Sequence, residues 1–247
     1  MKFETVYLTN MGRVRNNNED ALLVQGNIVS EVSMDIPTVE TFDSEKGWFI
    51  VADGMGGTDA GEEASREVLN QLLQDLPSLV EMDDFHKCLE KAKERLDKLA
   101  DERKIRLGTT VAGLYFSPDL SFAFNIGDCR VYKLAAGFLN RITRDHSLLE
   151  EATRAGMDTS KVPHNIVTSA ISGGDSPNVR TFFRAVQPKP GEVFLVCSDG
   201  FWGPISDEEF EGAFQSPSLL ETANQLIPIA LEKSRDNFTF IFVRIIS

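Results

Sequence analysis

Apolar runs of five to nine residues, rich in Val, Ile, Phe and Leu, come in groups along this chain rather than alternating one by one with helices. That grouping limits the fold more than any other feature. The runs Ala21 to Gln25, Trp48 to Ala52, Thr110 to Phe116, Ser121 to Asn125 and Arg130 to Leu134 read as strands. Thr181 to Val186, Val193 to Cys197 and Phe238 to Ile246 read likewise. Close neighbours such as the three runs between Thr110 and Leu134 are spaced for hairpins, which predicts antiparallel sheets instead of a doubly wound parallel one.

Helical stripes lie between these groups. Ala60, Ala64, Val68, Leu72 and Leu76 recur every four residues, and Phe85, Cys88, Leu89, Ala92, Leu96 and Leu99 form a second stripe, with Pro77 separating the two. A third, from Leu219 to Ala230, precedes the last strand. The expected class is α+β, with helices covering the outer faces of the sheets. Residues 145 to 180 open with a short helical pattern and continue with Gly, Pro and Ser punctuation, which reads as an inserted flap. With 42% hydrophobic and 26% charged residues and no internal repeat, residues 1 to 247 are expected to form one domain.

Aspartates stand at the ends of the apolar runs. Asp53 follows WFIVA and precedes GMGG, Asp199 follows VFLVCS, Asp236 and Asn237 come immediately before the last run, and Asp20 starts another after Asn18 and Glu19. One Asp-Gly or Asp-Asn step is an ordinary turn signal. Several together are costly to desolvate unless a cation neutralises them. Oxygen donors without a His or Cys cluster favour magnesium, manganese or calcium over zinc, and no twelve-residue calcium loop is present. Two such ions roughly 3.5–4 Å apart lower the pKa of a water toward ~7 and orient it for in-line attack, which suits hydrolysis of a phosphate ester.

The remaining features exclude more than they assign. A formal charge of -13, from 38 acidic and 25 basic residues with no basic patch, opposes nucleic-acid binding. Cys88, Cys129 and Cys197 are far apart and form no C-x-x-C pair, so buried thiols are expected and not disulfides or a thiolate zinc site. The polar start MKFETVYLTN and the lack of a long apolar run predict a cytoplasmic protein with no membrane partner, which leaves the Asn237 to Thr239 sequon without weight. GMGG is not a dinucleotide loop, because Asp59 stands where the third glycine belongs, and no P-loop or G-x-S-x-G elbow occurs.

Seven ordered blocks nevertheless resemble the protein phosphatase 2C family in its compact bacterial form: GRVRNNNEDA, VADGMGG, GTT, NIGDCRVY, DHSLL, VCSDGFW and RDNFTFIFV. The resemblance implies a four-layer α-β-β-α sandwich, two antiparallel sheets flanked by helix pairs, with a metal centre in a cleft at one end. It implies hydrolysis of phosphoserine and phosphothreonine in proteins by metal-activated water, opposing a cognate serine/threonine kinase. Carried over by motif, Asp53 resembles the carboxylate bridging two manganese or magnesium ions, with the Gly54 carbonyl on one and Asp199 and Asp236 on the other.

Glu19 and Asp20 then hold metal-bound waters, and Asn237 orients Asp236. Asp128 resembles the residue that shares a third ion with Asp199, and Arg15 the arginine that grips the phosphate, with Arg13 as its competitor. Two positions depart from the pattern. Met55 stands where eukaryotic members carry a proposed acid histidine, a place that His86, His146 and His164 do not fill. Cys129 stands where serine is usual, a small change in volume. The rival reading is a regulatory module that keeps the fold and binds phosphoproteins without turnover.

Overall fold

The computed structural model describes residues 1–56, 60–135, 137–163, 165–174 and 179–247. Gly57, Asp59, His164 and the 175–178 part of the expected flap lie outside them. The strands form two sheets, and every pairing is antiparallel. The first contains β1 (Lys2–Asn10), β4 (Thr38–Asp43), β8 (Arg130–Ala135), β9 (Phe138–Arg141), β12 (Val193–Cys197) and β13 (Phe238–Ile245), in the order β4-β1-β13-β12-β8-β9. The second contains β2 (Asp20–Val24), β3 (Asn27–Ser30), β5 (Gly47–Met55), β6 (Gly108–Phe116), β7 (Phe122–Ile126) and β11 (Phe182–Ala185), in the order β11-β7-β6-β5-β2-β3. The short β10 (Ile171–Ser172) pairs with β6.

The sheets bury their inner faces on each other. Phe3, Tyr7, Phe49, Val51, Phe116, Phe194 and Ile241 meet there, with the Phe3 ring 5.3 Å from Phe49 and 5.8 Å from Phe116. Removing one such side chain from water contributes about 1.5–3 kcal/mol. The outer face of the second sheet is covered by α1 (Gly61–Asp75) and α2 (Met82–Arg103), whose Leu72, Phe85 and Leu96 pack with Ile50, Tyr115 and Phe124. The outer face of the first is covered by α4 (Asp199–Trp202), α5 (Asp207–Ala213) and α6 (Leu219–Lys233), through Phe201, Phe210 and Leu226 against Leu195 and Phe240. This is the expected α-β-β-α order. Helices outside and a second sheet inside explain why β6 is buried at all nine positions.

A 3-10 turn at Leu76–Ser78 carries Pro77 and divides α1 from α2. Glu81 and Asp84 close the start of α2 with a reciprocal cap. The helical opening of the 145 to 180 segment is α3 (Leu148–Arg154), capped by Ser147. Strands β1, β3, β4 and β9 have no counterpart among the apolar runs of the sequence. β1 hides its nature because Thr5 and Thr9 are polar yet fully buried. Among the described residues no helix is long and apolar enough to cross a membrane.

Candidate metal centre

Strand register brings the aspartates together. The β2–β5 pairing sets Asp20 directly opposite Asp53, and β6 sets Thr110 on the other side of Asp53. Like charges facing each other across neighbouring strands repel. On the first sheet, Asp199 opens α4 just after β12, and Asp236 stands two residues before β13. The Cys197–Phe240 pairing keeps those two chain segments adjacent. Asp128 occupies the turn between β7 and β8. Both sheets thus deliver carboxylates to one end of the sandwich, where Asp53 feels the charges of Asp20, Asp199, Asp128 and Asp236.

Two glycines permit this approach. A β-carbon on Gly54 would lie 2.1 Å from the Gly61 carbonyl oxygen and 2.6 Å from that of Glu19, whose oxygen accepts from the Gly54 N–H at 3.2 Å. A β-carbon on Gly200 would lie 1.9 Å from the Asn237 carbonyl oxygen. Any larger residue at either position forces apart the segments that carry the acids.

The electrostatic cost is visible in the acids themselves. Burial pushes Asp20 up to about 7 from 3.8, against the lowering effect of the Ser198 and Thr239 hydroxyls, with Asp199 and Asp236 adding repulsion. Burial and Asp199 push Asp128 up to about 7. Asp53 rises well above the ordinary range for the same reasons, although its side chain keeps some contact with solvent. Asp199 is also raised, by burial and then by Asp236, against the lowering effect of the neighbouring Asp53 carboxyl.

Arginines only border the cluster. Arg15 Nη2 donates to Asp236 Oδ2 at 2.6 Å, and both side chains are half exposed. Arg130 lowers Asp128 slightly but is committed to Asp145. A partly buried set of carboxyl oxygens, whose ionised forms repel one another without a counter-charge, fits a hard divalent cation. Among the described residues no three acids, histidines or cysteines stand at the spacing that clasps one ion.

Residues 38–232 match the family model described as protein phosphatase 2C. The chain belongs to the protein phosphatase 2C family. The serine/threonine phosphatase stp of Listeria monocytogenes serotype 4b is 30% identical over 253 residues, covering 96% of this chain and 94% of its own length. The serine/threonine protein phosphatase PstP of Mycobacterium tuberculosis is 28% identical over 247 residues, covering 95% of this chain. This chain spans only 43% of that relative's length. A crystal structure of the catalytic domain of the phosphatase PstP, in complex with two manganese ions, matches 100% of both chains with a TM-score of 0.78 and 26% identity.

Around the phosphatase 2C cluster lies a support that the sequence does not announce. Ser198 Oγ donates to Asp20 Oδ2 at 2.7 Å and accepts from the Thr239 N–H at 3.0 Å. The Thr239 and Thr9 hydroxyls pair at 2.7 Å, and Asn18 Nδ2 donates to Thr9 Oγ1 at 2.8 Å. Thr9 and Thr239 sit inside strands β1 and β13, and polar letters in those positions are the signal that could have marked them. Asn237 bonds Asp236 through its backbone and the 11–19 loop through its side chain. Its backbone N–H donates to Asp236 Oδ1 at 2.9 Å, while its side chain accepts from the Glu19 N–H and donates to the Met11 and Asn17 carbonyls, pinning the 11–19 loop. Burial also nudges Glu19 upward.

The Asp128 turn is held by a second set that motif reading passes over. Trp202 Nε1 donates to the Asp128 carbonyl at 3.0 Å, and the Arg130 guanidinium lies 3.2 Å from the centre of a Trp202 ring. Arg130 in turn grips Asp145 through Nε and Nη2. Cys129 Sγ contacts Thr110 Oγ1 at 3.1 Å, and all three cysteines are free and buried. Arg13 is exposed, and among the described residues it forms no ion pair, unlike Arg15. Met55 ends β5 opposite Gly108, His86 packs edge-on against Phe183, and His146 Nδ1 accepts from the Gly127 N–H.

Proposed function

We propose that residues 1 to 247 act as one catalytic domain that hydrolyses phosphoserine and phosphothreonine in proteins, using manganese or magnesium. The observation that carries this is the convergence of Asp20, Asp53, Asp128, Asp199 and Asp236 from both sheets onto one partly buried, under-neutralised cluster. Asp53, the Gly54 carbonyl, Asp199 and Asp236 would hold two ions, with Asp128 and Asp199 holding a third. Bound there, the ions supply an acidified water and neutralise phosphoryl charge.

The chain's own groups do the rest. Asp20 and Glu19 position water, the first through a carboxylate already oriented by Ser198. Arg15 exchanges Asp236 Oδ2 for phosphoryl oxygens, its fork suiting a bidentate grip, and that exchange frees Asp236. Met55 has no proton to donate, so the leaving alkoxide takes its proton from water. A cleft of about 1050 Å³ opens beside Met55 and Gly56 and reaches Arg106, which gives room for a polypeptide. A cognate serine/threonine kinase would supply the substrate. Three buried thiols suit a reducing compartment, and we assign the activity to the cytoplasm.

The test is turnover of a phosphothreonine peptide with manganese, with magnesium and with EDTA, alongside calorimetric manganese titration. Activity should need the metal. Asp53→Asn and Asp236→Asn should lose both turnover and ion binding, whereas Arg15→Ala should raise KM. Full activity in EDTA, or in either Asn variant, would remove the metal site from the reading.

A further inference from the structure

We propose that the pocket at the root of the 145 to 180 segment is a second phosphoryl-binding site, separate from the carboxylate cluster. The proposal rests on the phosphatase reading above and extends it to the substrate class: polypeptides carrying more than one phosphorylated residue.

The pocket has a volume of about 390 Å³ and lies between α3, the Arg144 to His146 stretch and the start of β11. Its charge is unusual for a chain of net -13. Three carboxylates line it, and each is already satisfied. Asp145 is held by Arg130 and Arg141, Glu150 by Arg141 Nη2 at 2.8 Å, and Glu151 by Arg180 Nη2 at 2.8 Å and Thr168 Oγ1 at 2.7 Å. Arg144 and Arg154 line the same pocket, are exposed and form no ion pair among the described residues. Among the described residues, five arginines around three carboxylates leave two positive charges uncompensated, a local excess that attracts an anion.

The geometry suits a phosphoryl dianion. The Arg144 guanidinium lies 5.2 Å from the centre of the Phe182 ring, which orders its planar fork before any ligand arrives. His146 accepts the Gly127 N–H on Nδ1 at 3.1 Å, which places the proton of a neutral imidazole on Nε2, where it makes no bond to a described residue. Two forks and one neutral donor match an acceptor with three oxygens.

The pocket also touches the candidate metal centre. Besides accepting on Nδ1, His146 donates its own N–H to the Gly127 carbonyl at 2.8 Å, so it clamps both backbone groups of the residue before Asp128. A phosphate seated on His146 and the arginines is therefore tied to the Asp128 turn. An extended peptide advances about 3.3–3.6 Å per residue, so the number of residues between two phosphates sets whether one peptide reaches both places.

The experiment compares peptides with one phosphothreonine and with two at separations of one to five residues, in manganese, for the parent, Arg154→Ala and Arg144→Ala. The parent should favour a doubly phosphorylated peptide about tenfold in KM, and Arg154→Ala should erase that preference while leaving the singly phosphorylated peptide unchanged. In a second arm, inorganic phosphate is titrated into metal-free Arg15→Ala, with and without Arg154→Ala. Peptide preference that depends on Arg154 assigns the pocket to a substrate phosphate. Phosphate binding that depends on Arg154, without peptide preference, assigns it to free phosphate. If neither depends on Arg154 or Arg144, the site does not exist. Failure to hydrolyse even the singly phosphorylated peptide would overturn the phosphatase reading instead, and the phosphate titration would still judge the pocket.

Discussion

Replacing Asp145 by Asn should destabilise this protein by about 3 kcal/mol. The Asp145 carboxylate is only 5% exposed and takes Arg130 Nε at 3.0 and 3.1 Å and Nη2 at 2.6 Å, with Arg141 Nη1 at 3.1 Å. Asparagine keeps the shape but removes the charge and turns a donor toward other donors. Removing one partner from a buried pair costs about 3–5 kcal/mol. The lower end applies because Arg130 keeps the Tyr132 hydroxyl at 2.9 Å and the face of Trp202. For a chain of this size each kcal/mol moves Tm by about 2–4 °C, so a fall of about 6–12 °C is expected.

Urea unfolding in EDTA measures the loss directly, with an unchanged m value showing that the unfolded state is not altered. Trp202 is one of two tryptophans, so its emission should shift in the folded variant as the Arg130 stack loosens. Adding Arg130→Met to the variant should recover part of the stability, because no unpaired charge then remains buried. A loss below about 1 kcal/mol with the same m value would refute the argument that this pair is a buried, mutually dependent unit.

Asp20→Asn should flatten the pH dependence of stability of the metal-free protein. The folded state holds the Asp20 proton up to about 7, whereas the ordinary value is 3.8, so stability falls as pH rises through that window. From pH 5 to 8 the parent should lose about 2–3 kcal/mol more than the variant in urea titrations, and parallel slopes would contradict it. Gly200→Ala should cost about 1–3 kcal/mol and weaken manganese binding, since its β-carbon would lie 1.9 Å from the Asn237 carbonyl oxygen. An unchanged urea midpoint would show that the two segments part freely.

The sequence made the sandwich legible where burial produced continuous apolar runs, as in β6, β12 and β13. It concealed β1, whose buried Thr5 and Thr9 look like surface letters until their partners Glu40 and Thr239 are seen. The acids were legible as strand-end residues, and the ordered motifs grouped them. Their mutual repulsion was not, because it follows from the register that sets Asp20 against Asp53. Nor was the Trp202–Arg130–Asp145 support, since a ring, a guanidinium and a carboxylate spaced along the chain reveal nothing of their stacking. Arg15 could be chosen as a phosphate ligand from its motif, but its present attachment to Asp236 required coordinates.

The β1–β13 pairing has a consequence for how the molecule is made. These strands are central neighbours in one sheet, and Thr9 and Thr239 share a hydrogen bond across 230 positions of sequence. On a ribosome, β1 emerges long before its partner, and Asp236 reaches the tunnel exit just ahead of that partner strand. Such long-range closure is slow and leaves an unpaired edge exposed meanwhile. The nascent polypeptide therefore cannot complete its acidic cluster until synthesis has passed β13 and that strand has docked.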